Sequence, residues 1–428
     1  MRTHFLLRSF LLPAVIAITG ASRMVGAQTP NPAPSEMGAR TQGGRGGKVL
    51  RVTSLEASGS GSLAEALRTR GPRIIVFEVG GVIDLKGKNL NLTEPHVTLA
   101  GQTAPPPGIT LIKGGLVVET HDAIIQHLAI RPGEAGRPKK SGWNADGITT
   151  VSATNVLFDH CSCTWATDEN LSASGPRFEG ASVKDWQEKT SHHITLSYCL
   201  IAECLSQSTH SKGEHSKGTL LHDNVTGILL RGNLYASNME RNPLAKGGAQ
   251  ALIVNNWISN PGRNAIHAAL APDEWKGHDW QPNRLTMVGN LLEHGHDTAA
   301  YVALFTRYAK TPVQAVMQDN LAFDKGGSPA PLLRGEPFKL EAAKLAWPEG
   351  DTPLAAADVK AHLARNVGAR PWDRDPIDAR IVDAALKGTG RIINSEQEVG
   401  GYPSSKATEK PFDASEWNLE TMEKKGQK

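Results

Sequence analysis

The sequence predicts an all-β chain wound as a parallel β-helix, with a short N-terminal capping helix and a partly helical C-terminal tail. Three observations carry this reading. The runs RIIVFEV, GVIDL, HVTLAG, GITLIK and GLVVET alternate apolar and polar residues with period two, and Gly, Pro or Asn bounds each one. Later strand-like runs repeat in register, as expected of a solenoid built from one unit of roughly 20–40 residues. Helical periodicity returns only after residue 355, and 43 glycines with few aromatics fit many turns between short strands.

Residues 1–27 have the make-up of a cleaved secretory signal. Arg2 and Arg8 precede an apolar run over 10–18, and Val25-Gly26-Ala27 offers small residues for cleavage. That run is short for a bilayer span, and an uncleaved anchor is the alternative reading. Residues 28–47, rich in Pro, Gly and Ala, are expected to form a flexible leader. Residues 48–326 form the predicted β-helix domain. Ser60-Gly61-Ser62 caps a helix from about Leu63 to Arg68, which would close the first coil's open end. Residues 327–428 are expected to be an extension packing on the coil, with helical periods at 355–367 and 378–388 around a Pro-containing break.

Within the coil, aligning DAIIQHLAIR (122–131) with NVLFDHCSCT (155–164) sets His127 against His160. HITLSYCLIA (193–202) then sets Cys199 against Cys161. LLRGNLYAS, IVNNWIS, MVGNLLEH and MQDNLAFD place Asn233, Asn256, Asn290 and Asn320 at one position, so their amides should stack along the axis as a ladder. The four cysteines, Cys161, Cys163, Cys199 and Cys204, lack the paired CxxC spacing of structural zinc, and stacked thiols and disulfides are equally open to them. His160, between apolar strand residues, reads as a hydrogen-bonded core histidine.

Charge is nearly balanced, 46 Lys+Arg against 43 Asp+Glu, so no bulk field points to nucleic acid or a membrane surface, and an anion would be caught locally. The stretch 217–248 offers Lys217, Arg241 and Lys246 for this, on loops between short apolar runs. Asp146, Asp168 and Glu169 flank the VLFDHCS strand. Carboxylates on successive coils lie about 5 Å apart, close enough to share a hard cation, and oxygen-only donors favour calcium. His210, Glu214, His215 and His222 match no catalytic zinc signature.

With these residues in view, the chain resembles the pectate lyases of polysaccharide lyase family one, secreted enzymes built as a right-handed parallel β-helix. The likeness runs from about residue 50 to 325, and the tail with VGARPWDRDPIDARIV and GGYP resembles bacterial members. NVLFDHCS is similar to the family's Trp-Ile-Asp-His strand, with Leu157-Phe158 for Trp-Ile. RNPLAKGG is similar to its Arg-x-Pro-x-x-Arg loop, with Lys246 at the second arginine. NADG is similar to its Asp-Gly-Asp calcium motif, with Asn144 at the first acid. The resemblance implies Arg241 as catalytic base, with Lys217 and Lys246 binding substrate carboxylates. It implies Asp146 and Asp168 as calcium ligands. Glu169 then stands in for the last acid, where this chain has Ser172. It further implies a secreted monomer that cleaves polygalacturonate with Ca2+ and has no nucleic-acid or membrane partner.

Three other functions set the alternatives. A pectin lyase on methyl-esterified polymer would not need Asp146, Asp168 and the flanking cations. A polygalacturonase needs paired acids across the scissile bond, and no strong pair is present. A carbohydrate-binding β-helix without chemistry would not need Lys217 and Arg241 together.

Overall fold

The computed structural model describes residues 31–308 and 310–426. The signal expected over 1–27 lies outside the described residues. Among the described residues, short strands coil into three long sheets of ten, ten and nine strands, parallel throughout except for one strand added antiparallel at the edge of the second. One turn of the coil runs Thr154–Asp159 in the first sheet, Ser162–Thr164 in the second and Glu169–Ser174 in the third. The chain then returns to the first sheet at His192–Ser197, where Val156 pairs with Ile194 and Phe158 with Leu196. Period-two alternation turns Val156, Phe158, Ile194, Leu196, Ile228 and Leu230 inward, all fully buried in one continuous core. Such stacking of like on like is the parallel β-helix the periodicity predicts.

The turn from the first sheet to the second repeats one device. A residue in the left-handed region is followed by an inward ladder residue: His160 then Cys161, Tyr198 then Cys199, Gly232 then Asn233, Asn255 then Asn256. The predicted ladder is present. Asn256 Oδ1 accepts from Asn233 N and Nδ2 at 3.0 and 2.9 Å. Asn290 serves Asn256 and Asn320 serves Asn290 in the same way. Asn233 Oδ1 accepts from Cys199 N at 2.9 Å, so the cysteines extend the same column. All four cysteines are buried free thiols. His127 and His160 do align, but outside the core: their rings stack at 4.9 Å, Tyr198 continues the stack at 5.0 Å, and His160 pairs with Asp159. The left-handed turn residue points outward, which is why the core reading of His160 does not hold.

Helix α1 (Leu63–Leu67) begins where the serine cap predicts, with Ser62 accepting from Glu65 N. A second helix, α2 (Val183–Lys189), was not anticipated, although Ser182 and Asp185 form a capping box in the sequence SVKD. The described part of the expected leader, 31–47, is laid against the first sheet. Gly38 N donates to Gly227 O, Ala39 N to Thr195 Oγ1 and Gly44 N to Thr98 Oγ1. A Cβ at Gly44 would stand 1.8 Å from Arg73 O. There, glycine marks close backbone approach rather than flexibility.

Helices α3 (Ala356–Asn366) and α4 (Pro376–Lys387) pack on the outer face of the second sheet. Val359, Leu363, Ile381 and Val382 cover Leu200, Leu234 and Trp257. Buried Arg131 fixes α4 through Asp375 and Asp378, at 2.7 and 2.8 Å. Beyond α4 the chain returns to the first coil, where Thr408–Glu409 pairs antiparallel with Val79 and Gly80. No described helix is long and apolar enough to cross a membrane.

Candidate functional site

The site is built at the third sheet, from strand ends of successive coils. Asp146 precedes Ile148–Val151, Asp168 and Glu169 lead into Glu169–Ser174, and Lys217 opens the next strand, Lys217–Leu221, opposite Glu169. Arg241 lies just before Leu244–Ala245 and Lys246 just after it. A second amide ladder backs these positions. Asn170 Nδ2 donates to Asn238 Oδ1 and Asn238 Nδ2 to Asn242 Oδ1, each at 3.1 Å, with all three residues buried. It joins the coil carrying Glu169 to the loop carrying Arg241.

Asp146, Asp168 and Glu169 converge as expected, each offering an oxygen within 4.8 Å of the others. Asp146 accepts from Glu169 N and Ser172 Oγ, each at 3.1 Å. Burial, reinforced by the Asp168 charge, pushes its carboxyl up to about 7. A half-buried acid raised by desolvation and a neighbouring acid is a site that a cation would relieve. The donor set is oxygen and carboxylate, which fits a hard divalent ion such as calcium. Burial also acts to raise Asp168, but His215 Nε2 at 2.6 Å and nearby His210 outweigh it, and the group titrates below its ordinary range.

The three cations are each paired within the protein: Lys217 with Glu240, Arg241 with Glu169, and Lys246 with Asp223 and Glu274. Lys217 is not on a loop as expected. It begins a strand, its side chain only 4% exposed. Glu240 holds it in place and is itself bound by Arg263 Nε at 2.7 Å and Asn264 Nδ2 at 3.1 Å. The Arg241 guanidinium is largely buried, and its Nε has no hydrogen-bond partner. Burial lowers its pKa, opposed by the Asp168 and Asp146 charges. Desolvation does the lowering, with a smaller contribution from the Arg263 charge.

Several site residues escaped the sequence reading. His210 and His215, set aside as an unmatched cluster, meet at Asp168 with rings parallel and 3.7 Å apart. His210 Nδ1 accepts from Lys212 N, which places its proton on the Nε2 that faces Asp168. That tautomer and the stacking suit donors to a carboxylate better than ligands of one ion. Glu240, Arg177, Asp223 and Glu274 were also missed. For Glu240 the only signal was an acid directly before Arg241. A cavity of about 670 Å³ lies apart from the acids, between His127, His160, Trp372 and Phe412. Its lining carries charges of both signs, among them Asp159, Arg370, Lys410 and Glu416, but none of the third-sheet acids and cations.

No family model matches the chain. A probable pectate lyase C of Emericella nidulans is 31% identical over 415 residues, covering 94% of this chain and 87% of that protein. One of Aspergillus flavus is 31% identical over 405 residues, covering 91% and 85%. These relatives are fungal and do not support the bacterial likeness of the tail. Among solved structures, jun a 1, the major allergen of cedar pollen, superposes with a TM-score of 0.52 at 17% identity, covering 77% of this chain and 90% of that one. A point mutant of Bacillus subtilis pectate lyase superposes with 0.52 at 12%, covering 82% and 100%. At such identities the structures speak for the shared fold.

Proposed function

The chain belongs to the pectate lyase family, and on that premise we propose that it cleaves α-1,4-linked polygalacturonate by calcium-assisted β-elimination. The products would be 4,5-unsaturated oligogalacturonides. The observation that carries this reading is Arg241: a largely buried guanidinium, lowered by desolvation and with a free Nε, beside three convergent acids. On a right-handed coil, the polymer would lie along the third sheet.

In the reaction, Lys217 holds the carboxylate of the reacting uronate. Its buried pairing with Glu240 keeps the ammonium fixed before substrate arrives, so little reorganisation is needed. Arg241 leaves Glu169, turns to C5 and accepts its proton in the neutral form that desolvation favours. The C5–H electrons form the C4–C5 double bond, and the C4–O bond breaks. The departing glycosidic oxygen takes a proton from solvent. Calcium, held by Asp146 and Asp168 with Glu169 in reach, would supply positive charge to the carboxylate as negative charge develops. Because the base works deprotonated, activity should rise toward alkaline pH. Residues 1–27 would direct export, and the protein would act outside the cytoplasm.

The test is absorbance in the ultraviolet band of unsaturated uronides, on polygalacturonate, with calcium and with excess chelator. Rising absorbance that chelator abolishes is expected. Saturated reducing ends without absorbance would mean hydrolysis, and activity confined to methyl-esterified polymer would mean a pectin lyase.

A further inference from the structure

On the lyase reading, we propose that Arg177 and Lys246 form a further carboxylate-binding subsite, for a uronate other than the one that reacts. We propose also that Glu274 occupies this subsite in the free protein as an internal competitor. Lys246 N bonds Leu221 O, at the far end of the strand that Lys217 opens. Four residues of strand separate the two lysine backbones by about 13 Å, and their ammoniums are held by different acids, Lys217 by Glu240 and Lys246 by Asp223 and Glu274, so the two serve different carboxylates.

Asp223 and Glu274 have different roles in this cluster. Asp223 is fully buried and is the fixed partner of both cations, with Arg177 Nε at 2.8 Å and Lys246 Nζ at 3.2 Å. Trp275 Nε1 locks its other oxygen at 2.7 Å. Glu274 binds the same two cations from the solvent side, Arg177 Nη2 at 3.0 Å and Lys246 Nζ, yet its side chain is 41% exposed. Two cations against one fixed acid leave one positive charge to satisfy. An exposed carboxylate that bridges a lysine and an arginine is a stand-in for the carboxylate of a ligand. Buried Trp275 anchors the short segment Pro272–Trp275, so Glu274 can withdraw without the segment leaving. The subsite takes a free uronate. A methyl ester, having no charge, cannot displace Glu274.

Calorimetric titration with a saturated galacturonate oligomer tests this in the Arg241→Ala protein, where ligand is not consumed. Glu274→Gln in that background should tighten Kd about threefold, the scale of an exposed ion pair removed. Arg177→Gln should weaken it about tenfold, with Arg177→Lys recovering part, as for a charged hydrogen bond lost and partly restored. With the fully methyl-esterified oligomer these differences should vanish. With Arg241 intact, Glu274→Gln should lower KM on polygalacturonate far more than it alters kcat. Unchanged Kd in Glu274→Gln, or an equal gain on the ester, would overturn the subsite while leaving the lyase reading intact. Failure of wild type to release unsaturated product would remove that reading and, with it, this one.

Discussion

His215 Nε2 stands 2.6 Å from Asp168 Oδ1, and the imidazole lies flat against that of His210. The pair orients a carboxylate proposed to hold calcium. Partners of this kind typically govern metal affinity by about 10–100-fold. His215→Ala is therefore expected to raise the calcium Kd by at least about tenfold. His215→Gln, which keeps a donor, should lose less. Calorimetric calcium titration measures both, and equal affinity in all three proteins would mean that Asp168 needs no orienting partner.

Arg241→Lys should lose roughly 10²–10⁴-fold in kcat on polygalacturonate, the usual contribution of a general base. Lysine keeps charge at this position but lacks the planar fork and the Nε that faces no partner. Lys217→Ala and Lys246→Ala should instead raise KM at least as much as they lower kcat. Near-normal turnover in Arg241→Lys would place the chemistry elsewhere.

Asp146 gives a pH dependence of unusual sign. Its carboxyl is pushed up to about 7 by burial and by Asp168, whereas an unfolded aspartate titrates near 4. The folded protein therefore binds more protons than the unfolded chain between these values, and calcium-free stability should fall as pH rises across that window. Asp146→Asn should flatten this decline in Tm, and calcium added near pH 7 should release protons from the wild type. A calcium-free Tm that rises from pH 4 to 7, with Asp146→Asn unaltered in profile, would contradict the assignment.

The amide ladder should bear more load inside than at its end. Asn256→Leu strips the acceptor from Asn233 N and Nδ2 and the donor from Leu230 O, all buried. Each orphaned group costs about 1–3 kcal/mol. Asn320→Leu, at the last rung, takes the same partners from Asn290 N and Nδ2 and from Met287 O, but breaks no bond to a further rung, whereas Asn256→Leu also removes the Nδ2 bond to Asn290 Oδ1. Thermal unfolding should show the larger drop for Asn256→Leu. Equal drops would mean that rungs are held independently.

How much of this was legible depended on range. The coil could be read because its signal is periodic: Asn233, Asn256, Asn290 and Asn320 recur beside alternating apolar residues, and each needs only its neighbour in the same register. The acids and cations of the site were legible as residue types at suggestive positions. Their pairing was not, because Arg241 with Glu169 and Lys246 with Glu274 join residues far apart in sequence, on coils whose loops differ in length. His210 and His215 failed to match any metal spacing because their partner is a carboxylate. The glycines of 38–47 were misread as loosening the chain, since composition alone does not separate a mobile glycine from one that permits close approach.

The antiparallel pairing of Thr408–Glu409 with Val79 and Gly80 bears on how the protein is made. A chain emerging N-terminus first could stack its coils one on another as they appear, each on a finished neighbour. The strand Val79–Asp84 has no such neighbour on its outer side until nearly the whole polypeptide has been synthesised. Throughout that interval it presents bare amide and carbonyl groups, a template for strands of other nascent chains. A truncation before Thr408 would spare the third-sheet cleft yet make that exposure permanent, so its first symptom would be lost soluble yield rather than lost chemistry.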